Sequence, residues 1–361
     1  MNIDEIIDNI DSNNLNIAFG RVVNISAVTL TAVGLDVAVG DIVRIESVQK
    51  LYTVLGMVTV LNDDMFVIVP FSFIDGFKIN DKVFLQRDGL TIKCGNGLLG
   101  RVVNALGEPI DDLGKIRDLD TNAPINKESM SPLDRGIIDQ KFATGVKAID
   151  SMLTCGKGQK VGIFAGSGVG KSTLMGMIVQ GCEATIKVIA LVGERGREIP
   201  EFIHYNLNNN LENTVIVTAT SDESPLMRKY AAFTAMSIAE YFRDKGHDVL
   251  LMMDSVTRFA MAQREIGLST GEPPVSRGYP PSVFALLPQL MERAGNSKKG
   301  SITAFFTVLV DGDDLNDPIA DQSRSILDGH IVLTRDLTEQ GFYPPINILK
   351  SCAKFEKIVA V

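Results

Sequence analysis

Cysteine is scarce in this chain. Among 361 residues there are four, Cys94, Cys155, Cys182 and Cys352, far apart and with no pair at a metal-ligand spacing. That argues against a disulfide framework or a cysteine-based metal site and points to free thiols in a reducing compartment. Basic residues are also in deficit. Lys and Arg total 35 against 44 Asp and Glu, a net charge of −9, which disfavours nucleic acid as a partner because non-specific affinity for it comes from Lys and Arg displacing counterions. No apolar run approaches the roughly 18 residues of a membrane span, and Met1 opens no charged-then-apolar secretory signal. A cytoplasmic protein is the expectation. Internal repeats and low-complexity tracts are missing too. What remains is ordinary globular material, 45% hydrophobic and 22% charged, in a chain long enough for two domains around a sizeable core.

The chain changes character along its length. Residues 1–15 open with "MNIDEIIDNID", which sets Ile3, Ile6, Ile7 and Ile10 at helical spacing with acids on the other side. This predicts a short helix, packed on its own domain or docking a partner. Residues 16–90 carry short β-branched runs punctuated by Gly and Asp, such as "VGDIVRIES" and "MFVIVPFSF", the pattern of a small closed barrel. Phe66, Phe71, Phe73 and Phe77 could stack on bases. Residues 1–90, however, hold six Lys and Arg against twelve Asp and Glu, so these rings are assigned to the barrel core. From 91 to 345, after a Pro- and charge-rich connection, apolar runs ("KVGIFAG", "KVIALVG", "TVIVTAT", "VLLMMDS", "SITAFFTVLV") alternate with helical stretches. Buried strands alternating with helices predict an α/β domain with a largely parallel sheet covered on both faces.

"KVGIFAGSGVGKST" reads as a buried strand, a Gly-rich turn and the opening of a helix. The candidate nucleotide-binding residues are Gly166, Ser167, Gly168, Val169, Gly170, Lys171, Ser172 and Thr173. Glycines let backbone amides point inward, Lys171 reaches the β- and γ-phosphates, and Ser172 ligates Mg²⁺. The usual pattern begins with Gly, where this chain has Ala165. Hydrolysis also needs a metal-supporting carboxylate and a group that orients water. Asp254, ending "VLLMMDS", suits the first role, holding the metal through water. Glu194, ending the apolar run of "ALVGERGRE", suits the second as general base.

In the phosphate loop, "GERGREIPEF", "ATSDESPLMR", "LLMMDSVTRF", "GEPPVSRGYPPSVF" and "DGDDLNDPIADQSRSILDGHIVLTRDL", the chain resembles the rotary-type secretion ATPases. These are the ATPase of the flagellar export apparatus and its virulence type III relatives, similar in turn to the catalytic subunits of F- and V-type ATPases. The resemblance runs from about residue 16 to 351, and "REIPEF" and "GEPPVSRGYPPSVF" favour the secretion branch. It implies a RecA-like P-loop core after the small N-terminal barrel, with ATP and Mg²⁺ bound at each subunit boundary of a homohexamer. It places Arg195 and Arg258 near the γ-phosphate, where they would stabilise charge, and Tyr343 of "GFYPPIN" on the adenine. It also implies a stator-like regulator at the N-terminal helix and a central stalk facing the loop at 311–318. Export substrates, chaperones and the cytoplasmic face of an export gate at the inner membrane complete the implied partners. The flagellar system is favoured over the virulence one by "DLNDPIADQSRSILDGH".

Two departures stand out. In those ATPases "NILKS" precedes a Ser-Arg pair whose arginine reaches the neighbouring subunit's nucleotide, whereas Ala353 and Lys354 stand here. Lysine lacks the planar fork of arginine. Residues 346–361 would begin a helical C-terminal domain that is missing, so a shortened or frame-shifted end is expected, with slow hydrolysis and poor ring assembly. The rival readings are a ring RNA helicase, opposed by the acidic barrel, and a non-catalytic nucleotide-binding ring subunit, opposed by Glu194.

Overall fold

The computed structural model describes residues 18–47, 52–87, 89–310 and 317–353. The expected N-terminal helix, the loop at 311–316 and Lys354 lie outside the described residues. The chain divides into two units, Met1–Gly89 and Leu90–Val361.

The first unit is a closed antiparallel barrel. Its strands are β1 (Gly20–Ile25), β2 (Leu30–Val33), β3 (Ile42–Glu46), β4 (Thr53–Asn62), β5 (Met65–Pro70) and β6 (Lys82–Gln86), joined in the order β1-β2-β5-β4-β3-β6. Alternation builds the core: Val22, Leu30, Ala32, Val43, Ile45, Val58, Phe66, Ile68 and Val83 face inward. Register shifts in β1 between Val22 and Asn24, and in β4 between Val58 and Val60, are bulges that help bend the sheet into closure. The β4–β5 hairpin turns through Asp63, whose φ of 47° an aspartate tolerates. Phe66, Phe71 and Phe77 are buried as expected, but Phe73 is 64% exposed. It follows the end of β5, where pleated alternation no longer dictates which side of the chain faces in.

The second unit is built on a sheet of β7 (Val102–Val103), β8 (Lys160–Ala165), β9 (Ile186–Glu194), β10 (Thr214–Thr220), β11 (Asp248–Asp254), β12 (Ser301–Leu309), β13 (Gly329–Val332) and β14 (Cys352–Ala353). The order is β14-β13-β8-β12-β11-β9-β10-β7, parallel along this path except for the β13–β14 pair, with the short strand Gly295–Asn296 pairing antiparallel to β12 off it. The five apolar runs of the sequence are its central strands. β8 is buried at all six positions because both faces of the sheet are covered. The helices that matter for the site are α1 (Lys171–Gly181), α2 (Pro225–Asp244), α3 (Val256–Ser269), α4 (Pro281–Met291) and α5 (Pro318–Ile326). Three begin on residues chosen for the job. Ser224 accepts from the Met227 amide, Ser255 from Arg258 and Asp317 from Ile319 and Ala320. α1 differs, since its N-cap is Gly170 with no side-chain cap. Its first amides are therefore left open toward the carboxyl ends of β8, β9, β11 and β12.

Beneath α2 lies a buried polar knot. The guanidinium of Arg293, fully buried, donates to both Glu240 oxygens at 3.1 and 2.8 Å, to the Ile125 carbonyl at 2.8 Å and to Ser237 Oγ at 2.9 Å. All its partners are in place, which is what makes such a charge tolerable in the interior.

Candidate active site

The loop from Ala165 to Lys171 turns sharply because Gly168 (φ +76°) and Gly170 (φ +93°) occupy left-handed backbone that other residues rarely adopt. At Gly168 a Cβ would meet nothing within 4 Å, so open space lies above the turn. The uncapped start of α1 and the free amides of the loop form a concave, partly positive seat for an anion.

That seat is one wall of a cavity of about 620 Å³. Gly166, Ser167, Gly168, Gly170, Lys171, Ser172 and Thr173 line it, facing Glu194, Arg195 and Arg258. Thus ten of the fourteen sequence-predicted residues line one cavity, while Val169, Asp254 and Tyr343 do not line it and Lys354 lies outside the described residues. Val169 does not face the cavity. Its side chain is 1% exposed and packs in the core under the sheet, leaving only its backbone for a ligand. Asp254 sits behind Lys171, 4% exposed. Tyr343, 60% exposed, lies on the outer side of the loop, its Cε1 3.2 Å from where a Cβ on Gly170 would stand.

The charges interlock. β9 and β11 are neighbours, with Leu191 opposite Asp254, so Glu194, the last residue of β9, extends past the end of β11 on the same side of the sheet. Lys171 Nζ is hydrogen-bonded to Asp254 Oδ1 and lies 3.5 Å from Glu194 Oε1. Burial alone would lower the Lys171 ammonium, but the Asp254 and Glu194 carboxylates override it and hold the group above the ordinary lysine range. Thr307, from β12, donates to the same Asp254 oxygen at 2.7 Å. Glu194 is the strained member. Desolvation pushes its carboxyl up to about 7, against the pull of Lys171 and reinforced by Asp254 and Glu198. Its Oε1 is buried with no hydrogen-bond donor. An acceptor in that condition beside a cavity is suited to a water molecule.

Arg258 and Arg195 differ in kind. Arg258 packs across Gly193, where a Cβ would come within 3.0 Å of its own Cβ, and its Nε is buried without a partner. Arg195 is a rim residue, its side chain 70% exposed and 3.8 Å from Glu198. Sequence reasoning missed Thr307, and with it Arg197, Glu198, Glu201, Phe202 and Asn206, which also line the cavity. Asn206 donates to the Ser172 carbonyl at 3.2 Å and packs over Gly176. A threonine inside the apolar run "SITAFFTVLV" is no signal by itself, since Thr303 stands in the same run.

Among the described residues no group of three or more His, Cys, Asp or Glu could hold a metal by itself. The donors present, the Ser172 hydroxyl at the cavity wall and the Asp254 carboxylate behind it, are hard oxygens. They fit Mg²⁺, which keeps several waters and takes few protein ligands alongside phosphate oxygens.

A buried strand, a Gly-rich turn onto an uncapped helix and a lysine held by carboxylates from two adjacent strand ends define a P-loop nucleotide-binding site in a RecA-like α/β domain. Residues 145–353 match the ATP synthase alpha/beta family, nucleotide-binding domain. The chain is 61% identical over 340 residues to a flagellum-specific ATP synthase of Helicobacter pylori, covering 94% of this chain and 78% of that one. It is also similar to the assembled ATPase EscN of the enteropathogenic Escherichia coli type III secretion system, with a TM-score of 0.88 at 47% identity over 93% of this chain and 80% of that one. A second structure of EscN, in complex with its central stalk EscO, matches with a TM-score of 0.85 at 46% identity over the same shares. The chain belongs to the ATP synthase alpha/beta family, as an ATPase of the flagellar and type III secretion branch.

Proposed function

We propose that this protein hydrolyses ATP in a Mg²⁺-dependent reaction, as the subunit of a homohexameric ring that energises protein export through a flagellar secretion apparatus. The observation that carries the reading is the meeting of Lys171, Asp254 and Glu194 at the phosphate loop. Without nucleotide the Lys171 ammonium is neutralised by two carboxylates; an arriving triphosphate offers it a stronger anionic partner. The loop amides and the start of α1 then bind phosphate oxygens, and Ser172 and Asp254 are the residues that would hold the metal. Mg²⁺, when bound, supplies positive charge to the β- and γ-phosphates.

Glu194, freed from Lys171, accepts a hydrogen bond from the attacking water and orients it. Its weakened acidity makes it a more effective proton acceptor near neutrality than an exposed glutamate. Arg258, whose Nε has no partner, meets the charge that grows on the transferred phosphoryl group, and Arg195 contributes from the rim. The closeness of the Tyr343 ring to Gly170 supports its taking the adenine.

The ring and its stalk come from what the relatives are: EscN was solved assembled, and with EscO. On this reading the working protein sits on the cytoplasmic side of the membrane, with its export substrates and chaperones. Among the described residues no helix is long and apolar enough to cross a membrane. The flagellar assignment follows the Helicobacter pylori relative, the virulence system being the alternative. The test is ATP turnover per subunit against protein concentration. A cooperative rise supports a ring whose sites neighbours complete; turnover independent of concentration and unaffected by Arg258→Ala contradicts it.

A further inference from the structure

A phosphate loop works only if its amides face inward, and because each peptide unit is planar its carbonyls must then face outward. Two outward carbonyls of this loop are engaged by one neighbouring segment. Arg335 Nη2 donates to the Ser167 carbonyl at 3.1 Å, and the single Thr338 hydroxyl proton is shared between the Thr334 carbonyl of its own turn at 3.2 Å and the Val169 carbonyl at 3.4 Å. Both come from one short helical turn, Arg335–Glu339. That turn leads directly to Tyr343, whose ring lies against Gly170, with Pro345 beside it.

The segment is a closed unit. The Thr334 amide donates to the Pro345 carbonyl at 3.1 Å and the Phe342 amide to the Leu337 carbonyl at 2.9 Å. Its root is fixed to the strand that feeds the loop, since the Leu333 amide donates to the Phe164 carbonyl at 2.9 Å. One rigid turn therefore grips the phosphate loop from behind and carries the ring nearest to it.

We propose that the turn 334–345 is a clamp coupling base recognition to the shape of the phosphate loop, with Arg335 and Thr338 as positioning residues acting through the Ser167 and Val169 carbonyls. The proposal rests on the reading of Gly166–Thr173 as the triphosphate seat and of Tyr343 as the ring that takes the base. A base stacked on Tyr343 holds the turn against the loop, and a held loop presents its amides to the phosphates. The device distinguishes a nucleoside triphosphate from a bare polyphosphate, which engages the loop but not the ring.

The test is calorimetric affinity of the full chain for Mg²⁺–ATP and Mg²⁺–tripolyphosphate. Removing one such hydrogen bond is expected to weaken Mg²⁺–tripolyphosphate binding about 3- to 10-fold in Arg335→Ala, and about 2- to 3-fold in Thr338→Val. Arg335→Ala is expected to weaken Mg²⁺–ATP further still, because the ring is released as well. Tyr343→Ala should weaken Mg²⁺–ATP alone, and in that background the Arg335→Ala loss for Mg²⁺–ATP should shrink to the loss seen with tripolyphosphate. In turnover, Arg335→Ala should raise KM with little change in kcat. The clamp is overturned if the two losses multiply independently, if Arg335→Ala leaves tripolyphosphate affinity at the wild-type value, or if Thr338→Val has no effect while Arg335→Ala does, which would mean direct attraction between the guanidinium and phosphate. Failure of the underlying reading looks different: Lys171→Ala would then bind Mg²⁺–tripolyphosphate as tightly as wild type.

Discussion

Glu194→Gln should stabilise the nucleotide-free fold while destroying its use. The Glu194 carboxyl is pushed up to about 7 from its ordinary 4.5, chiefly by desolvation, with Lys171 only partly offsetting it. A group whose folded value is raised contributes stability that is fully present below its unfolded value and lost as pH rises through the folded one. At pH 8 the folded chain must hold a carboxylate that its surroundings disfavour; at pH 4 it holds the neutral acid. At 1.36 kcal/mol per unit, the shift corresponds to about 3 kcal/mol at pH 8. Glutamine keeps the size and neutrality of the protonated acid at every pH. Urea unfolding of the α/β unit should therefore show the variant more stable at pH 8, by up to about 3 kcal/mol, with the difference closing as pH falls from 7 to 4.5. A variant less stable at pH 8, or a difference independent of pH, would refute the reasoning, because the pairing with Lys171 would then outweigh desolvation.

The same ionisation should govern catalysis. kcat/KM for ATP, which reports the free enzyme, should rise with pH through about 7 and level off above it; a profile flat from pH 6 to 8 would count against Glu194 as the base. Glu240→Ala strands the fully buried Arg293 guanidinium and should cost about 3–5 kcal/mol by urea unfolding. A loss under 1 kcal/mol would mean that water or Ser237 compensates. Gly170→Ala forces a Cβ into left-handed backbone, 3.2 Å from Tyr343, and should weaken Mg²⁺–ATP binding at least about 10-fold in a folded protein. Near-wild-type calorimetric affinity would show the turn to be more adaptable than its geometry implies.

Local chemistry made much of this legible in the sequence. Glycines at 166, 168 and 170 followed by Lys171 announce a turn of inward amides, and a carboxylate at the end of an apolar run lands on the sheet edge whatever the loops do. The barrel was readable because short β-branched runs between turns leave few other ways to bury their apolar faces. Its one error, Phe73, lies past a strand end, where alternation gives no instruction. Residues that act on the loop from a distance were not readable. Thr307 reaches Asp254 across 53 positions, and Arg335 and Thr338 reach Ser167 and Val169 across 168 and 169. Nothing local marks a threonine or an exposed arginine as a partner for those groups; only the parallel order of β13, β8, β12 and β11 brings them there. The contrast between a packed Arg258 and an exposed Arg195 likewise depends on tertiary packing over Gly193.

The most direct measurement is single-turnover hydrolysis of Mg²⁺–ATP by Glu194→Gln, with nucleotide affinity measured on the same preparation. Loss of a positioned base predicts a hydrolysis rate lower by about 10²- to 10⁴-fold, with ATP still bound at close to wild-type strength because the loop and Lys171 remain. Hydrolysis at an undiminished rate, or an affinity that collapses together with the rate, would contradict the assignment of Glu194 as the group that activates water beside the phosphate loop.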